Sequence, residues 1–496
     1  MVESIIQAWI LAFDIEVLMF ILIGAMLGLL VGVFPGLGGT FLLAVLLPFT
    51  YNLSLENAIG LLIGAQSVTA TGGSISAILI GVPGTPTNLA TVFDGYPMAR
   101  KGLANQALAA SLVSSVLGGL IGAICLAILI PFIAPVVLAF GPAEFFSLAL
   151  IGLILLSSMG EENTLKSVVA GLLGILLSFV GLELSSGVTR YTFGFTYLLD
   201  GINMIPVFLG FFAIAEMLHL SFGKGSKINQ NEDITVGKIT LRNIMQVLKH
   251  KLLILRSALI GVFIGIIPGV GGELANVLSY GLATKSKKRN ADDASFGKGR
   301  IEGVIAPESA NNAKEGGALA TTMLFGIPGS SSMAILIVAL YILGITPGKE
   351  MVSTNLHITY LMVFVVVIAN ILAAAVAFGL SKYLAKITDI DISIIIPVII
   401  SVALFGGYMV HQNITDVFAT ALFGLIGFLF MKFGFSRITF VIGFVLGDII
   451  EKNLLLAHSL YGSSMISRPI TLILIMICIL MIFYPYVKRF LPKWNK

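Results

Sequence analysis

Gly24-Ala25-Met26-Leu27-Gly28-Leu29-Leu30-Val31-Gly32-Val33-Phe34-Pro35-Gly36-Leu37-Gly38-Gly39 returns later in the chain as Ser257-Ala258-Leu259-Ile260-Gly261-Val262-Phe263-Ile264-Gly265-Ile266-Ile267-Pro268-Gly269-Val270-Gly271-Gly272. Seven of the 16 positions are identical at a constant offset of 233. A second pair follows in the same order. Gly72-Gly73-Ser74-Ile75-Ser76-Ala77-Ile78-Leu79-Ile80-Gly81-Val82-Pro83-Gly84-Thr85 resembles Gly316-Gly317 followed by Gly326-Ile327-Pro328-Gly329-Ser330, with a one-residue slip after the glycine pair. Such long-range self-similarity reads as a duplicated unit.

The charges around the two copies differ. No Lys or Arg precedes Arg100, whereas seven lie in 224–256 and six in 285–300. Basic residues in short loops mark the cytoplasmic side, so the copies are expected to enter the membrane from opposite faces. Inverted repeats with paired Gly/Pro-interrupted segments point to a secondary transporter whose site lies near the midplane.

Composition agrees. Of 496 residues 57% are hydrophobic and only 11% charged, against about 25% charged in soluble domains, which excludes a water-soluble globular protein. At about 20 residues per span the chain has room for roughly ten to twelve membrane segments. The expected fold is an all-α polytopic membrane protein of two inverted-topology repeats with re-entrant hairpins. Residues 1–220 form the first repeat (broken hairpins 17–50 and 55–94), 221–256 a basic cytoplasmic linker, 257–457 the second repeat (257–283 and 306–343), and 458–496 a last span and cytoplasmic tail. Cys125 and Cys478 lie in apolar runs, so neither a disulfide framework nor a thiolate metal site is read. The five histidines have no metal-ligand spacing, and a net charge of +4 is too small to imply a nucleic-acid partner. Met1-Val2-Glu3-Ser4 lacks the basic start of a cleaved leader, and insertion through the spans themselves is expected. A phosphate-binding Gly-x4-Gly-Lys loop and a His-Glu-x-x-His motif are missing. No enzymatic activity and no cofactor are expected, and energy must come from an ion gradient or another subunit.

The chemistry is expected at four breaks: 35–39, 83–87, 268–272 and 328–332. Non-helical backbone at membrane depth is tolerated only inside protein or along a wet cavity. A half-helix starting at Thr85 or Ser330 would aim free N–H groups at an anion. Gly72, Gly73, Ser74, Gly84, Thr85, Thr87, Asn88, Gly329, Ser330, Ser331 and Ser332 are therefore expected to bind substrate. Asn311 and Asn312 join them as amides that can donate to a carboxylate or coordinate Na⁺. Coupling-ion candidates are Gly38, Gly39, Gly271, Gly272, Glu273 and Asn276. Gly24, Gly28, Gly32, Gly261 and Gly265 read as close-packing positions. Glu308, Lys314 and Glu315 read as a solvated helix start, Asp448 and Lys452 as an intrahelical pair, and 285–289 as a lipid-facing anchor.

With these motifs assembled, the chain resembles the large membrane subunit, TctA-like, of the tripartite tricarboxylate transporters. The resemblance rests on Phe34 to Gly39, Gly72 to Leu79 with Pro83-Gly84-Thr85-Pro86, Asp94 to Gly102, and Pro307 to Ala313, in the family's order. It implies uptake of citrate-like tricarboxylates or related organic acids across the bacterial cytoplasmic (inner) membrane, driven by Na⁺ or H⁺. It also implies a small four-span membrane subunit and an extracytoplasmic solute-binding protein as partners. The chain departs from the family at Gln66-Ser67-Val68-Thr69-Ala70-Thr71, and in Glu273, a carboxylate suited to a proton or Na⁺. An elevator-type carrier is the reading adopted. A carrier of the same fold for a dicarboxylate, aromatic acid or amino acid, a channel, and a homo-oligomeric assembly stay open.

Overall fold

The computed structural model describes residues 1–158, 164–183, 187–222, 234, 236–268, 271–286, 295–387 and 392–490. Much of the basic linker (223–233, 235), Gly269 and Val270, most of the 285–289 cluster and the tail 491–496 lie outside the described residues. The first half runs α1 (Val2–Ala12), α2 (Ile15–Val33), α3 (Gly39–Leu46), α4 (Leu55–Leu79), α5 (Leu89–Met98), α6 (Ala104–Leu138), α7 (Pro142–Ser158), α8 (Thr164–Ser178), α9 (Met204–Phe208) and α10 (Ala215–Phe222). The second runs α11 (Leu241–Leu248), α12 (Lys251–Ile266), α13 (Gly271–Ser286), α14 (Glu302–Phe325), α15 (Ser331–Ile342), α16 (Leu356–Ile387), α17 (Ile392–His411), α18 (Ile414–Phe433), α19 (Arg437–Tyr461) and α20 (Pro469–Phe490). Among the described residues the only strands are the two-residue pair Gly181–Leu182 and Thr189–Arg190.

Both copies of the repeated motif are a helix, a break and a second helix. A residue before proline is pushed out of the helical region, so α2 stops at Phe34 (φ −80°, ψ 118°) and α12 at Ile267 (φ −80°, ψ 112°). α4 starts on Ser54, whose hydroxyl accepts from the Asn57 amide, and α14 ends on Gly326 in the left-handed conformation (φ 70°).

Each first helix lies against the next long one at backbone contact. A Cβ added to Gly24, Gly28 or Gly32 on α2 would collide with the carbonyls of Leu61, Ala65 and Thr69 on α4. One added to Gly261 or Gly265 on α12 would strike those of Ala310 and Lys314 on α14. In return Gly72 meets the Leu29 carbonyl and Gly317 the Val262 carbonyl. Leu29 and Val262 are the same repeat position, so Gly72 corresponds to Gly317. The one-residue slip therefore falls before the glycine pair, a correction to the sequence alignment, and Gly316 instead faces the Gly122 carbonyl of α6.

The halves also exchange contacts reciprocally. Gly39 and Thr40 of α3 meet Ser332 of α15, with Thr40 Oγ1 and Ser332 Oγ 3.1 Å apart. The equivalent Gly272 of α13 meets Thr87, ahead of α5. The first break of each half thus meets the second break of the other.

Three expectations change. Seven helices among the described residues are long and apolar enough to span, or eight if α19 and α20, bent by 74°, count as one broken span. Shorter apolar helices, among them α8, α15 and 39–52, lie beside them. Glu308, Lys314 and Glu315 are no solvated helix start: α14 is buried along almost its whole length. Among the described residues no ion pair joins Asp448 to Lys452. Glu451 holds Arg190 at 2.8 Å instead, and Arg468 holds Glu144 at 2.8 Å.

Overpacking of this kind costs about 1–3 kcal/mol, so Gly32→Val should lower the thermal midpoint of the detergent-purified protein. Gly379→Ala, where a Cβ meets nothing within 4 Å, should leave it unchanged or raise it.

Candidate functional site

The four breaks meet around one cavity of about 680 Å³, a size typical of small-molecule sites. One wall is made of Gly38, Gly39 and Thr40 at the start of α3, Thr85 and Thr87 ahead of α5, Gly272 and Glu273 at the start of α13, and Ser330, Ser331 and Ser332 at the start of α15. Gln66, Thr69 and Ala70 of α4 and Lys314 and Glu315 of α14 complete it. The facing wall comes from other helices: Phe212, Glu216 and His219 around α10, Ser167 of α8, and Gly434 to Thr439 at the turn into α19, including Arg437.

Two basic side chains face the cavity, each held by a carboxylate. Lys314 Nζ lies 2.8 Å from Glu315, and Arg437 Nη2 lies 2.8 Å from Glu216 while its Nη1 donates to the Phe211 carbonyl at 2.9 Å. With Glu273 the lining acids outnumber the bases by one. Each helix start contributes roughly half a positive charge, so four of them outweigh that excess and leave the cavity favourable to an anion. Gln66 Nε2 donates to Glu315 at 3.1 Å, but Gln66 Oε1, Glu315 Oε2 and Asn311 Oδ1 are buried acceptors with no donor among the described residues.

The expected residues divide in two. Gly38, Gly39, Thr85, Thr87, Gly272, Glu273, Ser330, Ser331 and Ser332 line the cavity. Gly271 opens α13, and the remaining expected residues are engaged within the protein. Gly72 packs on Leu29, and Gly73 lies beneath Asn88 and the Thr85 amide. The Gly84 amide donates to the Gly73 carbonyl at 3.2 Å and the Gly329 amide to Thr322 at 3.0 Å. Those two N–H groups are already used within the protein, so in this conformation neither is available as the donor expected of it. Asn311 donates to the Thr87 carbonyl at 3.2 Å, and Asn312 to Thr71 at 2.9 Å and Asn370 at 2.7 Å. Asn276 Oδ1 accepts from the Ala90 amide at 2.8 Å. Ser74 and Asn88 belong to a buried network around Glu308.

Sequence reasoning missed Gln66, Thr69 and the facing wall, and set Lys314 and Glu315 aside. A signal was available for Gln66: at the structural offset of 245 it is the repeat mate of Asn311. For Glu216 and Arg437 no local signal exists, because they reach the site from distant elements.

The family model described as "Tripartite tricarboxylate transporter TctA family" matches residues 18–442. The chain is 34% identical over 435 residues, 87% of its own length and 85% of the relative's, to the "Uncharacterized 52.8 kDa protein in TAR-I ttuC' 3'region" of Agrobacterium vitis. It is 31% identical over 194 residues, 39% of its length and 79% of the relative's, to the "Uncharacterized protein in TAR-II ttuC' 3'region" of the same organism. No solved structure matches. A cavity built from four broken helices in a multi-pass membrane protein accords with that match: the chain belongs to the TctA family of tripartite tricarboxylate transporters.

Proposed function

We propose that this chain is the translocating subunit of a secondary transporter that takes up citrate-like tricarboxylates or related small organic acids. A Na⁺ or H⁺ gradient drives it, a small four-span subunit accompanies it, and an extracytoplasmic binding protein delivers the substrate. The observation that carries this reading is the convergence of four helix starts and two basic side chains, Lys314 and Arg437, on one cavity. Substrate carboxylates compete with Glu315 and Glu216 for these cations and accept from the free N–H groups of the helix starts and the hydroxyls of Thr87 and Ser330 to Ser332. The orphan acceptors Gln66 Oε1 and Glu315 Oε2 suit a substrate hydroxyl group.

The two walls suggest the motion. The repeats insert with opposite topology, and the broken helices carry substrate past α10 and α19 in an elevator-type movement. The cavity reaches the turn at Gly434 to Ser436, which the positive-inside rule assigns to the cytoplasm, so this is an inward-facing arrangement.

Saturable uptake of labelled citrate is expected in membranes carrying the assembled transporter, dependent on both an ion gradient and the binding protein. Saturable uptake of only a dicarboxylate, aromatic acid or amino acid would reassign the cargo, and unsaturable flux would indicate a channel. Lys314→Gln should raise the half-saturation concentration on the order of tenfold, about 1.4 kcal/mol, and an unchanged value would remove Lys314 from the site. Cysteines placed at Thr85 and Ser330 should lose reactivity toward a cytoplasmic thiol reagent when substrate and an outward-favouring gradient are applied. Identical labelling in every condition would refute a moving wall.

A further inference from the structure

Behind the cavity wall lies a carboxylate that the substrate site does not use. Glu308, two turns before Glu315 on α14, is fully buried. Ser74 of α4 donates to its Oε2 at 2.6 Å and Ser115 of α6 at 3.2 Å. Thr91 of α5 donates to Oε1 in a very short bond, and Asn88 Nδ2 approaches it at 3.5 Å. All four partners are neutral and themselves buried.

A buried charge is normally paired with an opposite one, because removing it from water costs far more than neutral hydrogen bonds return. The ionisable groups on the surrounding elements do not supply that pair. On α14 itself Lys314 is engaged with Glu315, and Glu302 with Arg300. Asp94 of α5 accepts from Tyr280 of α13 and from the amides of Gly299 and Arg300. Glu56 of α4, Glu273 and Lys285 of α13, Lys251 and Arg256 of α12, Tyr96 of α5, Tyr341 of α15 and His357 and Tyr360 of α16 form no hydrogen bond or ion pair with Glu308 among the described residues. α6 carries no acidic or basic side chain.

The pocket is connected to the substrate cavity. Thr85, on the cavity wall, donates to Asn88 Oδ1 at 2.5 Å, and Asn88 Nδ2 donates to Ser74 Oγ at 2.8 Å and to the Ala70 carbonyl at 2.9 Å. Any shift of the Thr85 break on substrate binding is therefore transmitted to the donors around Glu308 through two side chains.

We propose that Glu308, with the hydroxyls of Ser74, Thr91 and Ser115, is the site where the coupling cation, H⁺ or Na⁺, binds. This rests on the transport reading above and gives the driving ion a location apart from the cavity-lining glycines and Glu273. A proton neutralises the carboxylate directly. For Na⁺ the three hydroxyls would turn their hydrogens away and draw back from the carboxylate, leaving its two oxygens and the three hydroxyl oxygens as the candidate ligands.

The test uses proteoliposomes carrying the assembled transporter, under an imposed Na⁺ gradient or an imposed pH gradient separately. The wild type should accumulate labelled acid at least tenfold above equilibrium under one of them, which identifies the ion. Glu308→Gln should bring that ratio to about one while labelled-for-unlabelled exchange, with equal cation on both sides, remains measurable. Wild-type accumulation in Glu308→Gln would overturn the assignment while leaving the transport reading intact. If the wild type accumulates under neither gradient, the transport reading falls and this site with it. Should Glu308→Gln fail to assemble, Ser115→Ala decides. It should raise the half-saturating Na⁺ concentration several-fold or, where the ion is H⁺, lower the half-saturating proton concentration because a donor to the ionised carboxylate is lost, and an unchanged value would overturn the proposal.

Discussion

Backbone-to-backbone contact between α2 and α4, and between α12 and α14, is the interaction on which the rest of this structure depends. Within a bilayer there is no hydrophobic gain from bringing helices together, so association rests on van der Waals contact and hydrogen bonding. Glycines at 24, 28, 32 and 72, and at 261, 265 and 317, permit that contact, and a methyl group at any of them would strike a carbonyl of the facing helix. Close approach brings the breaks within reach of one another. The Gly36 amide donates to the Gly84 carbonyl at 3.2 Å and the Gly84 amide to the Gly73 carbonyl at 3.2 Å, so backbone groups freed by the prolines are satisfied inside the protein.

The same crossing explains why α4 and α14 are buried although they are rich in polar residues. A buried helix carrying Glu308, Asn311, Asn312, Lys314 and Glu315 is a poor choice for stability alone, since each group needs a partner in a medium that offers few. Partners come from several elements at once: Gln66 for Glu315, Thr71 and Asn370 for Asn312, and Ser74, Thr91 and Ser115 for Glu308. Two acceptors with no donor among the described residues, Gln66 Oε1 and Glu315 Oε2, belong to residues of α4 and α14 that line the cavity. Polar residues concentrated and incompletely paired at one place mark a site where local rules are relaxed for function.

Much of this was legible in order along the chain. The repeat, the four breaks and the small hydroxyl residues after them are short-range patterns, and proline and glycine act on their own neighbours whatever the tertiary context. Nine of the expected residues, Gly38 and Ser330 among them, line the cavity for that reason. Gly84 and Gly329 look identical to donors in sequence, and only their bonds to Gly73 and Thr322 remove them from the wall. Lys314 and Glu315 read as a solvated helix start because a run of charge next to Gly316-Gly317 has the composition of one.

What the sequence by itself determined is the membrane class, the duplicated unit, the positions of the breaks and the family. Composition, periodicity and helix-breaking are properties of neighbouring residues and survive without a fold. Only the tertiary structure decided the repeat register, the meeting of each first break with the other repeat's second break, the facing wall with Glu216 and Arg437, and the enclosure of Glu308. Each of these is a contact between residues far apart in the chain, from Gln66 with Glu315 to Glu216 with Arg437. Their distances are set by how closely glycine faces allow the helices to pack, which no local pattern encodes.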